Sequence, residues 1–412
     1  MRIRKSFLIK LVFIRSRRVF GFLLLNLILV SACRLVSPSA PSPTATLDRS
    51  PTKVQLGPTW TPEQSNMPTS KPTPKATSTP DPCDQVFFDP QGRLAFSLSN
   101  EGNDDIYIMH SDGRDVTRLT ISPGVDTNPS WSPSDEMLAI ESDRGLSFGE
   151  TDILVIDLEG TILHRLGSPA SVETNPQWSP DGLSIAYSSF RGGISSIVIS
   201  DLDGMEKKEI PSPYRWNIQP TWSPDGRNIA WLGNEGTSGD YLFDVLIYDT
   251  INSTSTILTE GFQAYPGIYY AWAPDGEALV LSLYRNRISD IYMVDIATRN
   301  LIRLTDDDAR DLEPSWSLDG EKLAFISDRE GDYDVFVMNR DGTEVRQISF
   351  TKNDDQFPAW SPDGKYIAFL AKTELSGDVI HIADLDGCAT FALTDAISTN
   401  VTRPVWSHDL VR

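Results

Sequence analysis

Apolar and polar residues along Asp311–Ser349 follow the pattern of a small antiparallel sheet. Lys322–Ser327 and Asp334–Asn339 are apolar runs, and shorter strand-like segments lie at Pro314–Ser317 and Val345–Ile348. Asp-Gly pairs at 319–320 and 341–342 mark chain reversals, where a residue must tolerate positive φ. The segment predicts a four-stranded meander of about 40 residues. Because its third strand is apolar at consecutive positions, both faces of the sheet need cover from similar sheets.

The chain repeats this unit. Trp-Ser-Pro-Asp-Gly, or a close variant, returns at intervals of about 45 residues, and a degenerate copy lies at 88–92. That period is typical of four-stranded propeller blades, and Ser-Pro-Asp-Gly is turn chemistry. We predict an all-β chain, a β-propeller of four-stranded antiparallel blades. Seven blades is the main prediction, with eight (the last incomplete) or six as alternatives. The repeated tryptophans, which we interpret as structural, are Trp131, Trp178, Trp222, Trp272, Trp316, Trp360 and Trp406.

Three consensus stretches of the repeat carry a resemblance to a known family. These are WSPDGxxIAF, then SDRxGxxDIYVM, then DGxxxxxLT. They resemble the WD-like repeat of TolB-type β-propellers, over about residues 85–412. The resemblance implies the fold and leaves the activity open, because one fold hosts many functions.

The end of the chain starts a further unit that it does not complete. Seven meanders precede Thr402–Ser407, which has the character of a first strand. We expect Pro404–Ser407 to pack beside Val86–Phe88 and so close the ring. The sequence does not indicate which of the two segments is innermost.

The N-terminal segment predicts export. Residues 1–32 contain seven Lys or Arg and no acid, and Val19–Val30 is an apolar run of signal-peptide length. Val30-Ser31-Ala32-Cys33 resembles a bacterial lipobox, which implies a lipoprotein signal peptide at 1–32 and lipidation of Cys33. An uncleaved signal anchor is the alternative. Either reading places the protein outside the cytoplasm, and the first attaches it to the cell envelope on the periplasmic or cell-surface side.

A tether follows the signal segment. More than half of residues 34–82 are Pro, Ser or Thr, without apolar periodicity, so we assign 33–82 to a disordered linker and 83–412 to the propeller. Cys83 and Cys388 then lie at the start of blade one and near the end of blade seven. Ring closure makes those blades neighbours, and we predict a Cys83–Cys388 disulfide, with two free thiols as the alternative.

The net charge of −21 argues against nucleic acid and anionic membrane surfaces as partners. Many acids are turn residues of the Asp-Gly type, but four carboxylates occupy equivalent connections before the Pro-x-Trp element. Local hydrogen bonding to the neighbouring turns is the favoured interpretation of these acids. The alternative is a partial acidic ring at one channel mouth, as a candidate site for a cation or a basic partner. The four are Asp126, Glu173, Asp311 and Asp355.

Aromatic residues concentrate in the longer loops of blades four and five. Loops that exceed the minimum length of a repeat are where binding surfaces differentiate, so these side chains are candidate contacts. Packing beneath a long loop is the alternative. They are Tyr241, Phe262, Tyr265, Tyr269 and Tyr270.

No catalytic constellation stands out. Gly145–Gly149 matches G-x-S-x-G, but it lies in a loop of blade two and not at a strand–turn–helix junction. His110, His164, His381 and His408 lack metal-ligand spacing. We therefore predict no catalytic residue, metal or cofactor. The main hypothesis is a monomeric, lipid-anchored binding or scaffold module for an envelope protein, peptide or glycan. The alternative is an extracytoplasmic hydrolase or lyase that uses channel carboxylates.

Overall fold

The computed structural model describes residues 92–408, except 101–102, 122, 148, 236–242, 260–269, 286–287, 374–376, 386–389 and 395–400. This part of the chain contains 28 β-strands and no α-helix. The strands form seven four-stranded antiparallel sheets. The predicted signal segment and tether lie outside the described residues.

Blade one combines both ends of the described chain. Its strands are β1 (Arg93–Asn100), β2 (Asn103–His110), β3 (Thr117–Arg118) and the last strand of the chain, β28 (Val405–Trp406), in the order β28-β1-β2-β3.

The other six blades are consecutive meanders. Blade two contains β4 (Asp126–Trp131), β5 (Met137–Ser142), β6 (Asp152–Asp157) and β7 (Ile162–Leu166); blade three contains β8 (Val172–Trp178), β9 (Ser184–Arg191), β10 (Ile194–Asp201) and β11 (Lys207–Glu209). Blade four contains β12 (Trp216–Trp222), β13 (Asn228–Asn234), β14 (Asp244–Asp249) and β15 (Thr254–Ile257); blade five contains β16 (Tyr270–Trp272), β17 (Ala278–Arg285), β18 (Ile288–Asp295) and β19 (Leu301–Arg303). Blade six contains β20 (Asp311–Trp316), β21 (Lys322–Ser327), β22 (Asp334–Asn339) and β23 (Arg346–Gln347); blade seven contains β24 (Asp355–Trp360), β25 (Tyr366–Thr373), β26 (Gly377–Asp384) and β27 (Thr390–Ala392).

The first strand of each blade is innermost. These strands contact one another from β4 through β8 to β12, and from β16 through β20 and β24 to β28, which contacts β4. The last strands are exposed, as in β3, β11 and β27. Seven sheets arranged in this way form a β-propeller, and the prediction of seven blades is confirmed.

The C-terminal strand closes the ring by pairing with β1. Leu94 is opposite Trp406 and Ala95 is opposite Val405. Thr402 N donates to Ser97 O over 2.9 Å, and Ser97 N donates to Thr402 Oγ1 over 3.0 Å. The innermost position of blade one therefore belongs to Val405–Trp406. Val86–Phe88, the partner expected from the sequence, lies outside the described residues.

The core lies between the faces of neighbouring blades. One cluster joins Ala324, Ile326 and Val337 of blade six to Ile367 and Phe369 of blade seven, all at most 2% exposed. Because each sheet is buried on both faces, its middle strands are apolar at successive positions, as the sequence pattern indicated.

The repeated tryptophans connect blade to blade. Trp406 Nε1 donates to Ala359 O over 3.0 Å, and Trp131 Nε1 donates to Val405 O over 3.0 Å. In each case the acceptor is the residue before the tryptophan of the preceding blade, and Trp178, Trp272 and Trp360 repeat the bond. These five tryptophans therefore have a structural role between blades, whereas the indole N–H groups of Trp222 and Trp316 have no acceptor among the described residues.

The Ser-Pro-Asp-Gly element is a turn between the first two strands of a blade. In blade six, Ser317 Oγ donates to Asp319 Oδ1 over 2.6 Å and accepts from Lys322 N over 2.9 Å. Gly320 has φ +72°. Blade two has Asp135 at the glycine position with φ 55°, in the left-handed region that Asp tolerates better than most residues.

Candidate binding site: a ring of bulge residues on the inner strands

Five inner strands share one irregularity just before the proline of Pro-x-Trp. The pairing of β4, β8, β12, β20 and β24 with their neighbours shifts register at this point. The residue before the proline has φ between 51° and 57° in each strand. A bulge leaves residues without ladder partners, which suits a proline that has no N–H to donate. We call these residues the bulge ring: Asn128, Asn175, Gln219, Glu313 and Phe357.

The members of the bulge ring all lie on the innermost strands of their blades. Asn128 is exposed, and the other four members are half-buried, although they lie on the innermost strands. Blade one places Arg403, which is exposed, at the corresponding position before Pro404. The backbone repeats from blade to blade while the side chains differ, with amide, carboxylate, aromatic and guanidinium groups. A repeated scaffold therefore presents a chemically varied surface.

Hydrogen bonds between blades fix the bulges. Asn175 N donates to Glu141 Oε1 of the preceding blade over 2.6 Å. Phe357 N donates to Glu313 Oε2 over 2.6 Å, and Gln219 N donates to Ser188 Oγ over 3.0 Å. A left-handed conformation is unfavourable for a bulky residue such as Phe357 and persists only where the surrounding structure stabilises it. The hydrogen bonds between blades stabilise this conformation at the bulges.

Two carboxyl groups at the bulges titrate close to neutral pH. Burial raises the pKa of Glu313 to about 7, opposed by the Phe357 N–H and by the charges of Arg403 and Lys372. Burial also raises the pKa of Glu141 to about 6, opposed by the Asn175 N–H and the Asn128 side-chain amide. Glu313 is the more accessible of the two, because Glu141 is only 2% exposed.

The four carboxylates predicted from the sequence lie two residues before the bulge position, beneath the surface. Asp126, Glu173, Asp311 and Asp355 are each 0% exposed. Ser142 Oγ donates to Asp126 over 2.6 Å, and Arg144 Nε donates to it over 3.2 Å. The four acids do occupy equivalent positions in their blades, but their side chains are buried and are not exposed at a channel mouth. Their contacts are with nearby hydroxyl and guanidinium groups.

The remaining three of these acids also have local donors. Ser171 Oγ donates to Glu173 over 2.6 Å, Arg329 Nη2 donates to Asp311 over 3.0 Å, and Thr351 Oγ1 donates to Asp355 over 2.7 Å. Burial raises the pKa of Glu173, and it raises the pKa of Asp355 to about 7, despite hydrogen bonds from nearby hydroxyls.

Of the candidate aromatic residues, only Tyr270 is described. Its half-buried ring packs against the core cluster between blades four and five, and its hydroxyl donates to the carbonyls of Ala230, over 3.1 Å, and Gln219. Burial raises the pKa of this hydroxyl well above its ordinary value. Tyr270 therefore packs within the fold. Tyr241, Phe262, Tyr265 and Tyr269 lie outside the described residues.

The other candidate residues are dispersed. Ser147 of the G-x-S-x-G match lies in the β5–β6 connection, with no helix after it. The four histidines lie in different places, with His381 packed against Phe369 and His408 next to Asp135. Within the described ranges, no group of three His, Cys, Asp or Glu side chains is arranged to hold a metal ion. Cys33, Cys83 and Cys388 lie outside those ranges.

Seven four-stranded antiparallel blades define a β-propeller, and its inner strands carry bulge residues of several chemical types. A family model described as the TolB beta propeller domain matches residues 146–268 and 196–411, more than half of the chain. The chain belongs to this family, and the resemblance seen in its repeats is confirmed.

The relatives are similar over different shares of their length. The protein TolB homolog of Chlorobium luteolum is 40% identical over 63 residues, which is 14% of this chain and 14% of that protein. The crystal structure of TolB from Acinetobacter baumannii has a TM-score of 0.51 at 20% identity, covering 77% of this chain and 66% of its own. This chain thus spans less than two thirds of either relative.

Two enzymes share the fold. Oligogalacturonate lyase from Vibrio parahaemolyticus has a TM-score of 0.57 at 14% identity, covering 71% of this chain and 86% of its own. A Mycobacterium tuberculosis puromycin-hydrolyzing peptidase has a TM-score of 0.56 at 14% identity, and the match covers 74% of this chain and 53% of the peptidase chain. At such identities the likeness concerns the fold alone. A search of the described ranges for a helix able to cross a membrane finds none.

Proposed function

We propose that this protein is an exported, lipid-anchored binding module that captures an extended segment of an envelope protein on its bulge ring. The observation that carries the proposal is the contrast between a repeated, hydrogen-bonded backbone and bulge residues of several chemical types: three amides, one carboxylate and one aromatic ring. Because the backbone of this surface is already ordered, binding a partner loses little conformational entropy, which favours affinity.

The chemistry of the bulge ring suits a peptide. Asn128, Asn175 and Gln219 carry amides, which pair with peptide groups through both their donors and their acceptors. Arg403, which is exposed, offers a positive charge for an acidic side chain of the partner, while half-buried Phe357 packs partly against the core cluster of blades one and seven. A glycan would use the same amides, but a neutral glycan would gain nothing from the charge of Arg403.

Site-specific photo-cross-linking in intact envelopes tests this proposal. A benzoylphenylalanine at Asn128 or Arg403 should give a discrete protein adduct. The matched control is Ile302, which is 47% exposed on the outer strand β19. Equal adducts from Ile302, or no adduct from either ring position, would refute the proposed site. An adduct that proves to be a glycan would show that the partner is a sugar and not a protein.

Channel chemistry is a second candidate, supported by Glu313. Glu313 is half-buried, and a carboxyl with a pKa of about 7 has the protonation behaviour of a general acid or base at neutral pH. Oligogalacturonate and short peptide amides are the substrates to assay, because enzymes named for lyase and peptidase reactions share the fold. Turnover that is lost in Glu313→Gln would support this function, and equal rates in the two proteins would exclude Glu313.

The envelope location of the proposal rests on the sequence of the first 82 residues. A lipid on Cys33 would attach the chain to the membrane, and the Pro/Ser/Thr-rich tether would let the propeller reach partners away from the surface. The segment of the partner that binds the propeller would then lie on the same side of the membrane as the propeller.

A further inference from the structure

Pairs of acidic side chains recur at the boundaries between blades. One acid lies near the start of the third strand of a blade, and the other lies near the start of the first strand of the next blade. At three boundaries the charge of one acid raises the pKa of the other, so the two carboxyl groups are close to each other. These acid pairs are Asp152 with Glu173, Asp290 with Asp311, and Asp334 with Asp355.

Between blades five and six, each acid of the pair has its own arginine. Arg303 Nη2 lies 2.9 Å from Asp290 Oδ2, and Arg329 Nη2 lies 3.0 Å from Asp311 Oδ1. Arg303 follows its acid by 13 residues, and Arg329 follows its acid by 18 residues. Two positive charges therefore compensate the two carboxylates of this pair.

Blades one and two repeat this arrangement. Arg118 pairs with Asp105 at the spacing of 13 residues, and Arg144 pairs with Asp126 at the spacing of 18 residues. The repeat thus has two positions from which an arginine reaches an acid at the boundary of a blade.

The acid pair between blades six and seven has no arginine at either position. Gln347 follows Asp334 by 13 residues, and its amide donates to Asp334 Oδ2 over 2.9 Å. Thr373 has the position relative to Asp355 that Arg329 has relative to Asp311, and its hydroxyl donates to Gly377 O over 2.7 Å. A neutral amide therefore replaces one guanidinium, and a short hydroxyl side chain replaces the other.

The two acids of this pair are buried side by side. Asp355 is 0% exposed and Asp334 is 3% exposed. The backbone N–H of Asp355 donates across the boundary, over 2.6 Å, to the carbonyl of Tyr333, the residue before Asp334. Thr351 Oγ1 donates to Asp355 over 2.7 Å. The side-chain donors at this pair, the amide of Gln347 and the hydroxyl of Thr351, are neutral.

Further acids surround this pair. Burial is the largest cause of its raised pKa values, which are about 7 for Asp355 and about 6 for Asp334. The charges of Asp332, Glu330 and Asp354 raise the pKa of Asp334 further, and those of Asp334 and Asp332 act in the same direction on Asp355. The nearby hydroxyls oppose these shifts without a compensating positive charge.

The cations on the neighbouring elements contact other acids. Lys372 Nζ lies 3.6 Å from Asp354, and Lys352 lies beside Asp332 and Asp354 in the lining of one cavity. Within the described part of the chain, no ion pair reaches Asp334 or Asp355. The remaining ion pairs near this boundary are Arg310 with Asp328, and Arg329 with Asp307 and Asp311.

We infer that the boundary between blades six and seven is a pH-sensitive joint, which stays closed while Asp334 and Asp355 are protonated and opens more often once they are ionised. Two buried carboxylates without an arginine repel each other and lose their hydration in the closed boundary, whereas neutral carboxyl groups avoid both costs. Because Phe357 N donates to Glu313 across the same boundary, opening separates two members of the bulge ring. The joint does not depend on the identity of any partner.

The direction of the pH dependence follows from the pKa values. In an open boundary the two carboxyl groups reach water and titrate near the ordinary value of 3.8, whereas in the closed boundary they titrate near 6 and 7. The closed boundary therefore holds these protons more tightly. Its stabilisation is complete below pH 3.8 and is lost as the pH rises through 6 and 7, so opening should be more frequent at pH 8 than at pH 5.

Hydrogen exchange of the detergent-solubilised full chain, followed by mass spectrometry, tests the proposal. After correction for the intrinsic exchange rate at each pH, the protection of the amides in β22 and β24 should fall at least about tenfold from pH 5 to pH 8. A tenfold change is the effect of one unit of pKa shift on one group. Protection that does not fall would overturn the proposal.

The boundary between blades one and two is the internal control. Arg118 and Arg144 compensate its acids, so the protection of the amides in β4 should fall by a smaller factor over the same pH range. An equal fall at both boundaries would mean that the whole ring unfolds more often, and it would overturn the assignment of a local joint.

Restoring the arginines should remove most of the effect. In Gln347→Arg/Thr373→Arg, and in Asp355→Asn, which removes one ionisable group, the protection of β22 and β24 should fall by less than about tenfold. Thr254→Arg, at an exposed position of β15 in blade four, is the matched control and should keep the full fall. A fall that stays at least tenfold in both test variants would overturn the proposal, and if one variant fails to fold, the other decides it.

Glu313 also titrates at this boundary, and a separate variant isolates its effect. Burial raises its pKa to about 7, and Glu313→Gln keeps an acceptor for Phe357 N while it removes the titration. The fall in protection should persist in Glu313→Gln, and its loss there would assign the pH dependence to Glu313 and overturn the role of the acid pair. His381, which packs against Phe369 of blade seven, is present in every variant, so its titration cancels from these comparisons.

Discussion

The carboxylate of Asp135 in blade two contacts His408, near the C-terminal end of the described chain. Asp135 Oδ1 accepts from the His408 backbone N over 2.9 Å and lies 3.0 Å from its Nδ1. Arg93 Nη2 of blade one also donates to Asp135 O over 3.0 Å. The aspartate that departs from the turn consensus therefore connects blade two to both chain ends that form blade one.

Asp135→Gly should destabilise the protein although it restores the consensus glycine. The buried carboxylate, 3% exposed, would be lost with its hydrogen bonds, at a cost of about 1–3 kcal/mol in the free energy of unfolding. His408→Ala should cost less, because the backbone bond survives. Denaturant unfolding of both variants and of the double variant measures the coupling, and strictly additive effects would show that the contact contributes nothing.

Trp406→Phe should lower the free energy of unfolding through the loss of its hydrogen bond to Ala359 O, about 1 kcal/mol, in addition to the effect of the smaller ring. The matched control is Trp316→Phe, because Trp316 is equally buried, at 8% exposed, and its Nε1 has no acceptor among the described residues. The difference between the two variants isolates the bond. Equal losses would mean that the indole bonds between blades do not matter for stability.

Glu313→Gln should remove a pH dependence of stability. The pKa of Glu313 is raised from 4.5 to about 7 in the folded protein, so the folded state holds this proton more tightly than the unfolded state. The stabilisation is complete below pH 4.5 and is lost as pH rises through 7, up to about 3 kcal/mol. In melting curves from pH 4.5 to 8, the Tm of Glu313→Gln relative to the Tm of the wild type should increase with pH. A constant difference in Tm would contradict the assignment.

Cys33→Ala should release the protein from the membrane or leave an unprocessed precursor. The physical reason is that two acyl chains supply most of the membrane affinity of a bacterial lipoprotein. Labelling with a radioactive fatty acid checks it, with Cys83→Ala as the control that should still be labelled. Label retained on the Cys33→Ala protein would contradict the lipobox.

Cys83 and Cys388 should form one intramolecular disulfide. In the chain-entropy account, a cross-link across a loop of about 300 residues stabilises by up to about 5 kcal/mol. Thiol counting on the unfolded mature protein, prepared without reductant, should find neither cysteine free, and reduction should lower Tm. Two reactive thiols would instead support the free-thiol alternative.

The local pattern of apolar and polar residues was sufficient to predict the strands of the blades. The bounds of β21 and β22 coincide with the predicted apolar runs at Lys322–Ser327 and Asp334–Asn339, because burial on both faces and tight turns leave a clear pattern. Closure was predicted from Pro404–Ser407, but its pairing with Arg93–Asn100 depends on contacts across the whole chain. Which strand is innermost is a tertiary property that no local period reveals.

The candidate site was harder to predict because burial and bulges are not visible in residue types. Asp126 and Asp311 were correctly grouped by position, yet their arginines withdraw them from the surface. Glu313 and Phe357 were missed, since a bulge reverses the side to which a residue points. The signal that would have found them is the proline after each one, which cannot donate to a ladder and so marks the break.

The shared blade also sets an order of events during synthesis. Blade one cannot acquire its innermost strand until residues 405–406 have emerged, whereas blades two to seven each finish soon after their own segment appears. Until then β1 offers an unpaired inner edge, and the bond from Trp131 to Val405 cannot form. A chain synthesised from its N-terminus therefore remains an open arc until residues 405–406 have emerged, and only a chain that includes them can close the ring of blades.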